Sequence, residues 1–202
     1  VASVYDLKPK FQNLLRPLCR RMARSGVTAN QVTLSAVFLS IALGAAITLS
    51  HGASWSLLLL PPLLFLRMAL NALDGMLARE FNQKSRLGAV LNELGDVVSD
   101  TALYLPFAAI AGMPALLVAV LVAIAIITEM AGVVGVEIGA SRRYDGPFGK
   151  SDRAVFFGAL ALALGLGVQP GLWTMALLAL AAAAGLLTIV NRARGALAEP
   201  VP

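Results

Sequence analysis

The 202-residue chain has one cysteine, Cys19, and one histidine, His51. One cysteine excludes an internal disulfide, and one histidine excludes a histidine-rich metal centre. Any metal would therefore be held by oxygen ligands. Charge is scarce as well: Asp, Glu, Lys and Arg make up 13% of the residues, against about 25% in an ordinary soluble domain. The start of the chain shows no short basic segment leading directly into an apolar one, so no cleavable leader is expected. What remains is apolar: 58% of residues are hydrophobic and the mean hydropathy is +0.80. Several apolar runs approach the length that crosses a bilayer as a helix, about 20 residues. An open sheet leaves backbone groups unsatisfied in lipid. The expectation is an all-α polytopic membrane protein.

The apolar runs predict six transmembrane helices, at 30–49, 55–79, 87–110, 114–139, 154–168 and 172–189. Thr28 and Asn30 are candidate N-caps for the first, and Pro61-Pro62 should kink the second. Residues 5–24 mix Phe11, Leu14, Leu15 and Leu18 with a run of cations. They read as an interfacial amphipathic helix, broken or bent near Pro17. It serves either as a platform on anionic lipid or as a plain positive-inside anchor. The expected organisation is an interfacial helix at 1–26, a six-helix domain at 27–195 and a disordered tail at 196–202.

The cations test this layout. Every Lys and Arg except Arg67 falls in the N-terminal segment, in 79–86, in 142–153 or in 192–194. These are alternate connections of a six-span chain. The positive-inside rule then places both termini and both long connections in the cytoplasm, across a bacterial-type inner membrane. The net charge of +5 suits anionic headgroups or phosphorylated substrates, and does not suit nucleic acid.

Against this background, acids on apolar helices are conspicuous. Asn71 and Asp74 are three residues apart and share a helix face, and Gly88, Asn92, Asp96 and Asp100 follow at intervals of four. The short connection at 80–86 makes their two helices antiparallel neighbours, so both polar faces meet just inside the cytoplasmic surface. Acids facing one another in oil repel and stay protonated unless a cation joins them. Mg2+, Mn2+ or Ca2+ accepts the carboxylate and carboxamide oxygens on offer. Gly75 and Gly88 leave room for a ligand, and Arg79 suits a phosphate. The plain alternative is polar residues joining helices by hydrogen bonds.

The stretch resembles the signature of the CDP-alcohol phosphatidyltransferase family, D-x-x-D-G-x-x-A-R, eight residues, then G-x-x-x-D-x-x-x-D. Here it stands as Asn71-x-x-Asp74-Gly75-x-x-Ala78-Arg79, eight residues, then Gly88-x-x-x-Asn92-x-x-x-Asp96. The resemblance extends to the interfacial helix, to Thr28-Ala29-Asn30 at the start of the first span, and to six spans. It implies transfer of a phosphatidyl group from CDP-diacylglycerol, or another CDP-alcohol donor, to an alcohol acceptor, with release of CMP. It also implies a homodimer. Carried over by position, Asn71, Asp74, Asn92 and Asp96 are the metal set for Mg2+ or Mn2+, and Asp96 is the base. Asn71, Asp74, Gly75, Ala78, Arg79 and Gly88 line the cytidine diphosphate site. The asparagines remove two charges, for which Asp100, also taken as catalytic, and Glu93 compensate.

Other residues are weighed beside these. Arg142, Arg143, Lys150 and Arg153 are candidates for binding an acceptor, phosphorylated or not, or else form a positive-inside connection. Glu129, in mid-span, faces either the pocket or a dimer contact. Arg67, one turn before Asn71, is expected to counter the acids. Tyr104 is expected to pack. Two rival functions stay open: an inactive member serving as a membrane scaffold, and an ion or proton transporter.

Overall fold

In a computed structural model, residues 4–199 are described, with side chains from residue 11 onward. Helix α1 spans Val4–Arg24, α2 Ala29–Leu49, α3 Ser54–Leu58, α4 Leu60–Glu80 and α5 Arg86–Tyr104. A 3-10 turn at Leu105–Ala109 follows, then α6 Ala115–Glu137, α7 Lys150–Gly165 and α8 Leu172–Ala198. There is no strand among the described residues. The expected kink is a break at Leu59 between α3 and α4, just before Pro61-Pro62, which cannot donate backbone bonds. The expected break in α1 at Pro17 is absent, since the assigned helix runs through it. The tail differs from expectation too. Residues 196–198 continue α8, and Glu199 is hydrogen-bonded; 200–202 lie outside the described residues.

Four helical segments are long and apolar enough to cross a membrane: Ala29–Leu49, Ser54–Glu80, Ala115–Glu137 and Leu172–Ala198. Helix α5 falls short because Glu93, Asp96 and Asp100 lower its hydropathy, and α7 because it has only 16 residues.

The chain divides into two compact units, one formed by 1–42 with 62–99, the other by 43–61 with 100–202. In the first, Cys19 on α1 packs with Ala29 and Val32 of α2 and with Leu73, Met76 and Leu77 of α4. Leu15, Cys19, Met22 and Ala23 form the buried stripe of α1, at helical spacing. Its other face leaves Leu14, Leu18, Arg20, Arg21 and Arg24 exposed. Arg16 pairs with Glu80 at 3.2 Å, and Phe11 meets Phe65 edge-on at 6.1 Å. Thr28 caps α2 reciprocally with Gln31: the Gln31 N–H donates to Thr28 Oγ1 at 3.3 Å, and the Thr28 N–H to Gln31 Oε1 at 2.9 Å. Asn30, the other cap candidate, lies inside the helix.

In the second unit α6 packs along α8, and α3 along α7. An aromatic stack fills the space around α7: Tyr104 lies flat on Phe157 at 4.1 Å, as a packing residue, with Phe107 and Phe156 edge-on to Phe157. Close approaches are made at glycines. A Cβ on Gly185 would strike Ile124, and one on Gly44 would strike the Ala102 carbonyl.

Because the atom facing Gly44 is backbone, it cannot swing aside. Gly44→Ala is expected to cost about 2 kcal/mol or more. Thermal unfolding in detergent micelles checks this, and an unchanged midpoint would refute the close approach.

Candidate functional site

The first unit brings the two halves of the polar pattern together. Asn71 Nδ2 on α4 donates a long bond, 3.4 Å, to Asp96 Oδ1 on α5. Arg67, one turn before Asn71 on α4 and 4% exposed, donates from Nη2 to the Asp96 main-chain oxygen at 3.1 Å. The same nitrogen lies 3.6 Å from Asp96 Oδ1. The expected role of Arg67 as counter-charge is therefore met within this unit. Asp74 is buried, and its Oδ2 accepts from Thr33 Oγ1 of α2 at 2.8 Å. Thr33 also faces the Ala29 carbonyl at 3.1 Å, so its one proton serves two acceptors in turn.

Thr33 was not among the sequence candidates. It lies one turn beyond Asn30, on the face of α2 that meets α5. A Cβ on Gly95 of α5 would lie 3.5 Å from Thr33 Cγ2 and 3.0 Å from Val37. A Cβ on Gly88 would come within 2.8 Å of Asn30 Oδ1 and 3.0 Å of Ser85 Oγ. Gly88 thus admits a polar side chain of α2, where open room for a ligand was expected. Gly75 is similar, since Arg79 folds back to put both terminal nitrogens 3.1 Å from where its Cβ would be. The rest of Arg79 is exposed, as is Asn92, one turn before Asp96. Gln83, in the connection 81–85, accepts from the Ala29 N–H at 2.7 Å and so ties that connection to the start of α2.

Asp74 and Asp96 are the two carboxylates of the family pattern here, and Arg67 lies beside Asp96. No group of three or more His, Cys, Asp or Glu side chains able to hold a metal occurs among the described residues. An ion here would depend on the carboxamide oxygens of Asn71 and Asn92 as well.

In the second unit the remaining acids meet arginines. Asp100 Oδ2 accepts from Arg153 Nε at 3.2 Å and Nη2 at 3.1 Å. Glu129 Oε1 accepts from Arg153 Nη2 at 2.7 Å, and Oε2 from Arg142 Nη2 at 3.4 Å. Arg192 Nη1 lies 3.6 Å from Glu129 Oε1 and donates to the Thr128 carbonyl. Arg153 is fully buried, and its Nη1 has no hydrogen-bond partner among the described residues. This revises two expectations. Asp100 is bound in an ion pair and does not stand free to replace missing charge. Arg153 is a buried anchor and no part of an open basic loop. Glu129, a mid-span acid that must find cations, pointed to this cluster. Arg192 was missed because a cation near a helix end reads as an ordinary cytoplasmic anchor.

Arg143 closes the connection 138–149 onto the end of α8. It donates from Nε to Asp145 at 2.8 Å and from Nη1 to Glu199 at 2.9 Å. Glu199 also accepts from the Ser141 hydroxyl at 2.8 Å and the Ser141 N–H at 3.0 Å. These Ser141 bonds, then Arg143, hold the Glu199 carboxyl below its ordinary pKa. The bond to Asp145 leads in raising Arg143. Lys150, the first residue of α7, is half-buried.

The profile of the CDP-alcohol phosphatidyltransferases matches residues 26–192. The chain belongs to the CDP-alcohol phosphatidyltransferase family. It is an integral membrane protein, as the family and its four apolar helices indicate. Inner membrane protein YnbA of Escherichia coli (strain K12) is 48% identical over 195 residues, covering 96% of each chain. The fold is also that of phosphatidylinositol phosphate synthase from Mycobacterium tuberculosis. The crystal structure of that enzyme with CDP-DAG bound has a TM-score of 0.76 and 20% identity, covering 91% of this chain and 94% of its own. Its structure with manganese and citrate gives 0.75 and 21%, covering 91% and 89%.

Two outcomes test these clusters. Arg153→Met should destabilise the protein by about 3–5 kcal/mol, because Asp100 and Glu129 lose their shared partner. Adding Asp100→Asn should recover part of the loss in a detergent melt; no recovery would deny the pairing. The Glu199 clamp acts through a lowered carboxylate pKa, so its contribution is complete above the ordinary carboxylate range. It is lost as pH falls below the ordinary carboxylate range and through that lowered value. Protease cutting within 138–149 should rise there, and Glu199→Gln should raise it at neutral pH.

Proposed function

We propose that the protein transfers a phosphatidyl group from CDP-diacylglycerol to an alcohol acceptor, releasing CMP, with Mg2+ or Mn2+ as the divalent cation. The observation that carries this is the Asn71–Asp96 contact, which joins the two halves of the family signature in one unit. The neighbouring fold supports it, since the mycobacterial synthase has been crystallised with CDP-DAG and with manganese.

The donor set suits a hard divalent cation, offering two carboxylates, Asp74 and Asp96, and two carboxamides, Asn71 and Asn92, with no sulfur or imidazole. When bound, the ion would neutralise the diphosphate of the donor. The protein's own residues do the rest. Asp96 Oδ1 is engaged by Asn71 and Arg67, and its carboxylate accepts the proton of the attacking hydroxyl. Thr33 orients Asp74. Arg79, exposed beyond Gly75, pairs with a donor phosphate, and Ala78 lies on the cytidine side.

For the acceptor we infer a role for the arginine cluster of the second unit. Arg142, Arg153 and Arg192 face two acids, Asp100 and Glu129, leaving a positive surplus and a spare donor at Arg153 Nη1. That balance suits an anionic acceptor, such as a sugar phosphate or glycerol phosphate, with Arg143 and Lys150 as outer contacts. We also read α5 and α7 as spans, completing six, and place both termini and the site on the cytoplasmic side of an inner membrane. On this reading 1–26 is the interfacial segment, 27–195 the catalytic domain, and the assembly a homodimer. The exposed face of α1 fits anionic lipid, with Pro17, Arg20, Arg21 and Arg24 around a depression of about 360 Å³.

One rival keeps a specific observation in its favour. Asn71 and Asn92 stand where the signature has aspartates, as they would in an inactive scaffold. Transport has less support, since Asp96, Asp100 and Glu129 each hold an arginine.

Purified protein supplied with CDP-diacylglycerol, Mn2+ and a panel of alcohols should release CMP, and Asp74→Ala or Asp96→Ala should abolish it. Metal-dependent CDP binding without CMP release from any acceptor favours the scaffold. Near-normal turnover in either variant refutes the site.

A further inference from the structure

The connection between α6 and α7 carries a converging set of donors. Among the described residues, three of them meet the Glu199 carboxylate. The Ser141 N–H donates to Oε1 at 3.0 Å, the Ser141 hydroxyl to Oε2 at 2.8 Å, and Arg143 Nη1 to Oε2 at 2.9 Å. A main-chain N–H, a hydroxyl and a guanidinium edge around one oxyanion is the donor set that suits a carboxylate or a phosphate group.

These donors are held by contacts that do not involve Glu199. The Ala140 N–H donates to the Gly135 carbonyl at 3.0 Å, and the Arg143 N–H to the Gly132 carbonyl at 3.2 Å, so the segment 140–143 is fixed to α6 at both ends. Arg143 Nε is taken by Asp145 at 2.8 Å, which leaves the Nη edge to face Glu199. Asp145 is tied to α8 in turn, since its main-chain oxygen accepts from Arg192 Nε at 3.4 Å. Glycines make room for the guanidinium: a Cβ on Gly195 would stand 2.7 Å from Arg143 Nη2, and one on Gly135 3.5 Å from Arg143 Cγ. Glu199 is placed differently. It lies one residue past α8 in extended backbone, so its carboxylate can turn away and leave the donors where they are. The Arg143 and Glu199 side chains are 22% and 31% exposed, which opens the cradle to solvent.

We propose that Ser141 and Arg143 form a binding site for a phosphate group, and that Glu199 is its resident ligand, which an external phosphate replaces. A phosphate monoester brings nearly two charges and three acceptor oxygens to donors that a carboxylate meets with one charge and two. The tethered carboxylate competes from an effective concentration of about millimolar or more, so the site stays closed until phosphate is abundant. Exchange of the two ligands would release the end of α8 from the connection 138–149. The site needs neither metal nor turnover, so it stands or falls apart from the function proposed above.

The full chain in neutral detergent is titrated with inorganic phosphate, against sodium chloride at matched ionic strength, and followed by calorimetry and by protease cutting within 138–149. Glu199→Gln should bind phosphate at least about tenfold more tightly than the wild type. The cutting that this substitution raises should fall again as phosphate is added. Combining it with Arg143→Gln should abolish both effects. Should Glu199→Gln not fold, Glu199→Asp, which keeps the charge and loses reach, should show the same gain to a smaller degree. Neutral-lipid nanodiscs given inorganic phosphate, set beside nanodiscs containing phosphatidic acid and no added phosphate, separate the two sources of the group. Protection of the Glu199→Gln connection in the first assigns the site to free phosphates, and in the second to lipid headgroups. Equal phosphate affinity in the wild type and Glu199→Gln, protection that survives Arg143→Gln, or protection in neither kind of nanodisc would overturn the proposal.

Discussion

A carboxylate placed among apolar helices must have a cation, and the arrangement of polar residues in this protein follows from that constraint. Leaving one acid unpaired in such surroundings costs several kcal/mol. Asp96 and Asp100 of helix α5 lie one turn apart, and each finds a guanidinium inside its own unit. Asp96 meets Arg67 from α4, and Asp100 meets Arg153 from α7. Glu129 draws three arginines, from α7, α8 and the connection between α6 and α7. Arginine suits this work because its planar fork spreads one charge over several donors, so a single side chain bridges two acids, as Arg153 does. Lysine offers only a point charge.

The helices themselves were legible in the sequence because lipid imposes a simple rule of length and hydropathy. The starts of α2, α6 and α8 fall within a residue of expectation. The ends were harder. Helix α8 runs past the apolar stretch to Ala198 because Arg143 and Ser141 hold Glu199 in place, and a contact between residues 56 apart leaves no local trace. The polar pattern on α4 and α5 was legible as spacing, and its contact at Asn71 and Asp96 follows from that spacing. Thr33 was not, since a threonine on an apolar helix is as often bonded to the carbonyl one turn back, which Thr33 also is. The glycines show the same limit. Sequence indicates that something approaches Gly75 and Gly88, but not that Arg79 and Asn30 do so.

The difference between pairing and availability separates the two polar clusters. In the second unit the acids are spent on arginines, and what is left over is positive, with a buried guanidinium nitrogen still to be satisfied. In the first, Asp96 meets Arg67 and Asp74 accepts from the Thr33 hydroxyl.

The two asparagines become intelligible through the charge they remove. With aspartate at 71 and 92, four carboxylates would crowd a small volume, and only a large positive charge supplied from outside would keep them ionised. Exchanging two of them for carboxamides lowers that demand while keeping oxygen atoms at both positions. Burying Arg67 four residues before Asn71 lowers it again. The two features act in the same direction, so the asparagines alone are poor grounds for reading an inactive site. The Arg67 guanidinium is itself costly to bury, and Asp96 is there to receive it.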